Sequence, residues 1–161
     1  MSILFTILKY LIFSLLLIVI SCSSNSSNKK QQEAEERSVQ EIYNSAMDYI
    51  NDNKYARAHD EFIEVERLHP YSIWATRSQI MTSYVNYKLN KYTDSVSGAL
   101  RYIELHPGAS DIDYAYYLIA LNYYEQINDY RRDQSFTRKA LEAFNNLIRR
   151  FPNSDYSRDA K

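Results

Sequence analysis

The sequence predicts an all-α chain of antiparallel helix hairpins, and three observations carry that expectation. Only two glycines and three prolines occur in 161 residues, far under the roughly 12% average share, too few for the tight turns of a β-sandwich, barrel or propeller. From Glu33 onward apolar residues return at helical spacing. One residue pattern also returns three times, each copy closed by a proline. Nineteen Lys and Arg against twenty Asp and Glu give a net charge of -1, so no positive field recommends nucleic acid as a partner.

Residues 1–21 read as a signal peptide: Lys9 precedes the mostly apolar run from Tyr10 to Ile20. That run suits a secretory signal and is short of the about 20 apolar residues of a membrane span. Val19-Ile20-Ser21-Cys22 resembles the lipobox of bacterial lipoproteins, which implies a diacylglyceryl group on the Cys22 thiol, cleavage before it and acylation of the new terminus. An uncleaved anchor helix is the competing reading. The lone cysteine permits no internal disulfide and no cysteine zinc site. Three acyl chains exceed the two signals that stable anchoring requires. Ser23, standing where Asp favours inner-membrane retention in enterobacterial sorting, points to the periplasmic face of the outer membrane. Residues 22–32 are expected to form a lipidated flexible tether: after Cys22, residues 23–32 are only Ser, Asn, Lys and Gln with nothing apolar to bury, and ten such residues span about 17 Å root-mean-square.

Residues 33–161 form the predicted helical domain, with helices over 33–51, 54–68, 71–89, 92–105, 111–127 and 134–150. The acidic run from Glu33 to Glu36 suits the first turn of a helix, where carboxylates complement the dipole. Asn53-Lys54-Tyr55 and Leu68-His69-Pro70 return as Asn90-Lys91-Tyr92 and Leu105-His106-Pro107, a shift of 37 residues. A third copy ends in Arg150-Phe151-Pro152, 45 residues after Pro107, with its extra length assigned to an enlarged turn at 128–134. Eight and twelve residues before each proline stand Phe62 and Ala58, Ala99 and Ser95, Phe144 and Ala140, one helix face in each copy. This register resembles the tetratricopeptide repeat, a helix-turn-helix unit with Ala, an aromatic and Pro at these offsets. Ser83 and Ser95 depart from the small apolar residues usual there. Ser154-Asp155 reads as the opening of another helix. Because no polar capping helix follows, the expectation is either that the carboxy-terminal part of the protein is missing or that a partner covers Ala140, Phe144 and Leu147.

In tetratricopeptide arrays the first helix of each pair lines a concave wall. Counting from the small position, the residues facing inward are Tyr43, Met47 and Ile50, then Arg77, Ile80, Tyr84, Tyr87 and Lys88, then Tyr114, Tyr117, Leu121 and Tyr124. The candidate peptide groove is Tyr43, Met47, Arg77, Tyr84, Tyr87, Tyr114, Tyr117 and Tyr124. Tyrosine supplies apolar area with a hydroxyl that stays wet, suited to an extended or amphipathic peptide, and Arg77 and Lys88 suit a terminal carboxylate. Aromatic rows at helical spacing also serve as core, so both uses of these rings stay open.

Nothing in the sequence recommends catalysis. His69 and His106 hold equivalent capping places before proline, and His59 adjoins Asp60 on a helix where neighbours point apart. There is no glycine-rich phosphate loop, nucleophile elbow or HExxH. The expectation is a non-enzyme without metal or cofactor.

A lipobox, a short tether and these hairpins together resemble the BamD family of outer-membrane assembly lipoproteins. The most specific segments are His106-Pro107-Gly108 with Asp111 to Leu118, and Arg132-Asp133-Gln134 through Ala140 to Arg149-Arg150-Phe151-Pro152-Asn153-Ser154-Asp155-Tyr156. The resemblance implies a non-catalytic scaffold of the β-barrel assembly machinery that binds unfolded outer-membrane proteins and passes them on for insertion. It implies as partners a BamA-like barrel insertase, contacted mainly through repeats beyond the three present here, and other lipoproteins of that machinery. A secretin pilotin or a cell-envelope coordination factor would share lipid, tether and groove.

Overall fold

The computed structural model describes residues 38–127 and 134–161, and the signal peptide, Cys22, the tether and most of the enlarged turn lie outside them. Among the described residues seven helices follow in order: α1 Val39–Asn51, α2 Tyr55–Leu68, α3 Ile73–Lys88, α4 Tyr92–Leu105, α5 Ile112–Tyr124, α6 Ser135–Arg150 and α7 Asp155–Asp159. No strand occurs among the described residues. Each helix packs on the next as an antiparallel neighbour from α1 to α6, and α7 rests on both α5 and α6. The first helices of successive hairpins also touch, α1 with α3, α3 with α5 and α5 with α7. This is the hairpin stacking of a tetratricopeptide fold.

The local geometry repeats as closely as the sequence does. Ser38 caps α1 in a capping box, its Oγ accepting from Glu41 N–H while the Glu41 carboxylate accepts from Ser38 N–H. Asn53 and Asn90 both adopt the left-handed conformation, at φ 58° and 59°. They close α1 and α3 with the same paired bonds: Asn53 N–H to Ile50 O and Lys54 N–H to Tyr49 O, then Asn90 N–H to Tyr87 O and Lys91 N–H to Asn86 O. This is a Schellman ending with Asn in place of the usual Gly. Tyr55 and Tyr92 then donate to the Asn53 and Asn90 side chains at 2.7 and 2.9 Å. The Asn-Lys-Tyr signature is thus a turn.

At the other edge the residue before each proline is the C-cap. His69, His106 and Phe151 share φ between -128° and -133° and ψ between 56° and 59°, out of helical space as a following proline requires. Ser72, Ala109 and Ser154 N–H each bond back to those residues at 3.0 Å. Ser72 and Ser154 then cap α3 and α7. The two histidines are therefore caps, with His106 Nε2 also 2.9 Å from Gln79 Oε1.

The core runs between the hairpins as linked clusters. Ala46, Ala58, Phe62 and Val85 join α1, α2 and α3, and Ile80, Tyr102, Ala115 and Leu118 join α3, α4 and α5. Ser83 and Ser95, the two departures from the repeat pattern, lie inside a polar relay: Ser95 Oγ donates to Ser83 O at 2.7 Å and accepts from Asn122 Nδ2 at 2.8 Å. A β-carbon at Gly98 would run into Ser83 Oγ, so glycine lets α3 and α4 approach closely. Ser95→Ala leaves the buried Ser83 carbonyl without its hydroxyl donor and Asn122 with one of its two acceptors, Leu118 O. It should cost about 1–3 kcal/mol, read from urea unfolding, whereas Ser135→Ala on the partly exposed start of α6 should cost less.

One expectation is corrected. Ala140 and Leu147 are buried, 3% and 0% exposed, and the Phe144 ring lies 6.3 Å from those of Tyr117 and Tyr124 on α5. The chain covers this face of α6 itself, and Ser157 of α7 closes over Leu147 O. The seam points back to the preceding helix, so no partner is needed there.

Candidate functional site

The first helices α1, α3, α5 and α7 gather the aromatic residues. At Tyr114 burial pushes the phenol well above the ordinary value, and the neighbouring Tyr84, Tyr156, Tyr87 and Tyr117 push in the same direction. The Tyr156 ring stacks on Tyr117 at 5.1 Å and meets Tyr114 at 5.2 Å. Tyr84, Tyr87, Tyr114, Tyr117 and Tyr156 thus form one phenol cluster across α3, α5 and α7. Acidic side chains hold its rim: Tyr87 donates to Glu125 at 3.1 Å and Tyr117 to Asp159. Beneath it Tyr102 donates to Asp111 at 2.5 Å and Ser154 to Asp113 at 2.5 Å. Tyr87, Lys88, Asn90, Tyr92 and Glu125 line a recess of about 140 Å³ at the turn edge.

Four of the eight candidates, Tyr84, Tyr87, Tyr114 and Tyr117, are therefore brought together, each partly buried and partly presented. Tyr124 is the most open of the candidate tyrosines, 57% exposed, edge-on to Phe144. Tyr43 stands apart, 5.5 Å from Phe62 and 4.9 Å from Trp74. Arg77 lies over the same Trp74 ring at 5.3 Å and partly offsets the upward push that burial gives the Tyr43 phenol. Met47 and Ile50 pack against the first core cluster, and Ile80 is core, 3% exposed. Lys88 leans over the Tyr55 ring at 5.5 Å, whereas Arg77 lies over Trp74.

Sequence reasoning missed Tyr156, Trp74 and the acidic partners. A signal existed for the first two: Pro70-x-Ser72-x-Trp74 and Pro152-x-Ser154-x-Tyr156 place an aromatic at the same offset. Glu125 and Asp159 carry no such mark.

The phenols make the fold sensitive to alkali. Burial, then the Glu125 hydrogen bond, raises Tyr87 from 10.0 to about 12, and burial, then Asp159, does the same to Tyr117. A folded state that holds these protons more tightly keeps their full contribution below pH 10 and loses it as pH rises through about 12. Melting temperature should fall over that window in step with tyrosinate absorbance, and Tyr87→Phe with Tyr117→Phe should flatten the fall.

The profile of the outer membrane lipoprotein family YfiO matches residues 35–161. The chain belongs to that family. It is 43% identical over 127 residues to the outer membrane protein assembly factor BamD of Caulobacter vibrioides, covering 79% of this chain and 42% of that protein. It is 34% identical to the BamD of Rickettsia prowazekii over 74% of this chain and 47% of that one, and 32% identical to that of Neisseria gonorrhoeae over 78% and 51%. This YfiO-family chain spans about half the length of these curated relatives. Family membership makes it an outer-membrane-associated lipoprotein.

Proposed function

We propose that this chain is a non-catalytic scaffold of the β-barrel assembly machinery, anchored through lipid on Cys22 and holding unfolded outer-membrane proteins for insertion. The relatives' shared designation as outer membrane protein assembly factors supports the setting. The phenol cluster on α3, α5 and α7 is the observation that supports the binding step. Rings held by neighbours on one side and presented on the other offer apolar area at little ordering cost, and the Tyr87 and Tyr117 hydroxyls, which donate to Glu125 and Asp159, can still accept from a peptide N–H. A β-barrel strand supplies apolar side chains on one face and free backbone groups along its edges. Binding and release suffice, with no bond made or broken. A BamA-like insertase and other lipoproteins of the machinery are the proposed partners.

Affinity purification of the tagged, lipidated chain tests the setting. A barrel insertase should co-purify, and recovery of a secretin or a peptidoglycan synthase in its place would contradict the reading. Cys22→Ala should release the protein from membranes in cell fractionation, and retention would contradict the lipid anchor.

A further inference from the structure

The edge carrying the proline turns is not uniform. Counting from the proline, the first position is Tyr71 in the first turn, Gly108 in the second and Asn153 in the third, and the third position is Ile73, Ser110 and Asp155. The first turn alone carries large apolar residues at both positions. They point outward: Tyr71 is fully exposed and Ile73 is 64% exposed. Ser72 Oγ accepts from Ala75 N–H and donates to His69 O, which stiffens the turn that presents them. Leu105, at the end of α4, adds a third side chain, 55% exposed. Of the charges nearby, Arg67 pairs with Glu64 and Arg101 with Glu66, and Glu104 is exposed beside Leu105.

The chain enters the folded domain at this same edge. Val39 at the start of α1 and Leu68 at the end of α2 pack with Trp74 around Ile42, Val65 and Ala75. Ser38 therefore stands beside the Tyr71 turn, with fifteen residues between it and Cys22. An aromatic and an aliphatic side chain on a rigid turn, next to the point where the chain from Cys22 joins the domain, match the chemistry of a bilayer interface, where Tyr sits at headgroup level and Ile below it.

We infer that Tyr71, Ile73 and Leu105 form a second membrane contact that seats the first proline turn in the lipid interface and fixes the orientation of the hairpin stack. The inference rests on the Cys22 anchor. The lipid supplies attachment and the turn supplies direction, leaving the Asn53 and Asn90 turns at the edge away from the bilayer.

The test uses the full lipidated chain in phosphatidylethanolamine and phosphatidylglycerol vesicles, with no other protein. With the native thiol in thioether linkage, Tyr71→Cys or Lys91→Cys offers one site for a bimane probe. Lipids carrying a quencher below the headgroups should quench the probe at 71 several-fold more than the probe at 91. Adding Ile73→Ser and Leu105→Ser should remove that difference while the protein still floats with the vesicles. Equal, weak quenching at both positions in a floating chain would overturn the inference and assign the turn to a protein partner. A chain that does not float would overturn the anchor, and the inference with it.

Discussion

Phe62→Ala should destabilise the domain by about 3–5 kcal/mol, a large part of the about 5–15 kcal/mol expected for a domain of this size. Phe62 is completely buried among Ala46, Ala58 and Val85, with Tyr43 edge-on at 5.5 Å. It sits where α1, α2 and α3 meet, and two of its neighbours are alanines, too small to collapse into the void. In a stack where each hairpin contacts mainly the next, loss at one joint loosens that joint first. Amide exchange should therefore quicken in α1 and α2 before α5 and α6. Ile63→Ala, one residue on but 44% exposed, should cost less than about 1 kcal/mol. Urea unfolding of the two variants side by side checks this, and equal losses would contradict the packing described.

The fold was legible because its punctuation is chemical. Proline forces the preceding residue out of helical space, and the three C-caps share one conformation as a result. The Asn-Lys-Tyr repeat was visible as a pattern, but its cause, a left-handed Asn closing each first helix, is a backbone property that spacing does not show. Which residues face the inner wall was harder to read. α3 and α5 are packed on several sides and carry no single apolar stripe, so periodicity alone could not separate Ile80, which is core, from Tyr84, which is shared. The course of the Lys88 side chain was not legible either: helical phase places its α-carbon, while the Tyr55 ring decides where its amine goes. The Ser83, Ser95 and Asn122 relay reads in sequence as two faults in a repeat. It becomes an arrangement only once residues 12 and 27 positions apart are brought together. Tyr156 reaches the phenol cluster only because α7 folds back on α5.

The second large effect concerns binding. Replacing Tyr84, Tyr87 and Tyr117 together by Ala should weaken capture of an extended β-strand peptide by roughly 30-fold or more, the ~2 kcal/mol of an interface hot spot. Tyr84 and Tyr87 also pack against Ile80, Tyr102 and Leu118, so the triple Ala variant loses some stability as well. The triple Phe variant keeps the ring packing and should retain most of the binding, with the acidic rim no longer engaged. Tyr124→Ala, at the open end of the row, should weaken binding without lowering the melting temperature.

The most direct measurement is a polarisation titration of the lipid-anchored chain with a fluorescent peptide that copies the last strand of an outer-membrane β-barrel and ends in an aromatic residue. The wild type and the triple Phe variant should bind with similar affinity and the folded triple Ala variant should not. Equal binding by all three, each with its helical circular dichroism intact, would contradict the phenol cluster as the binding surface.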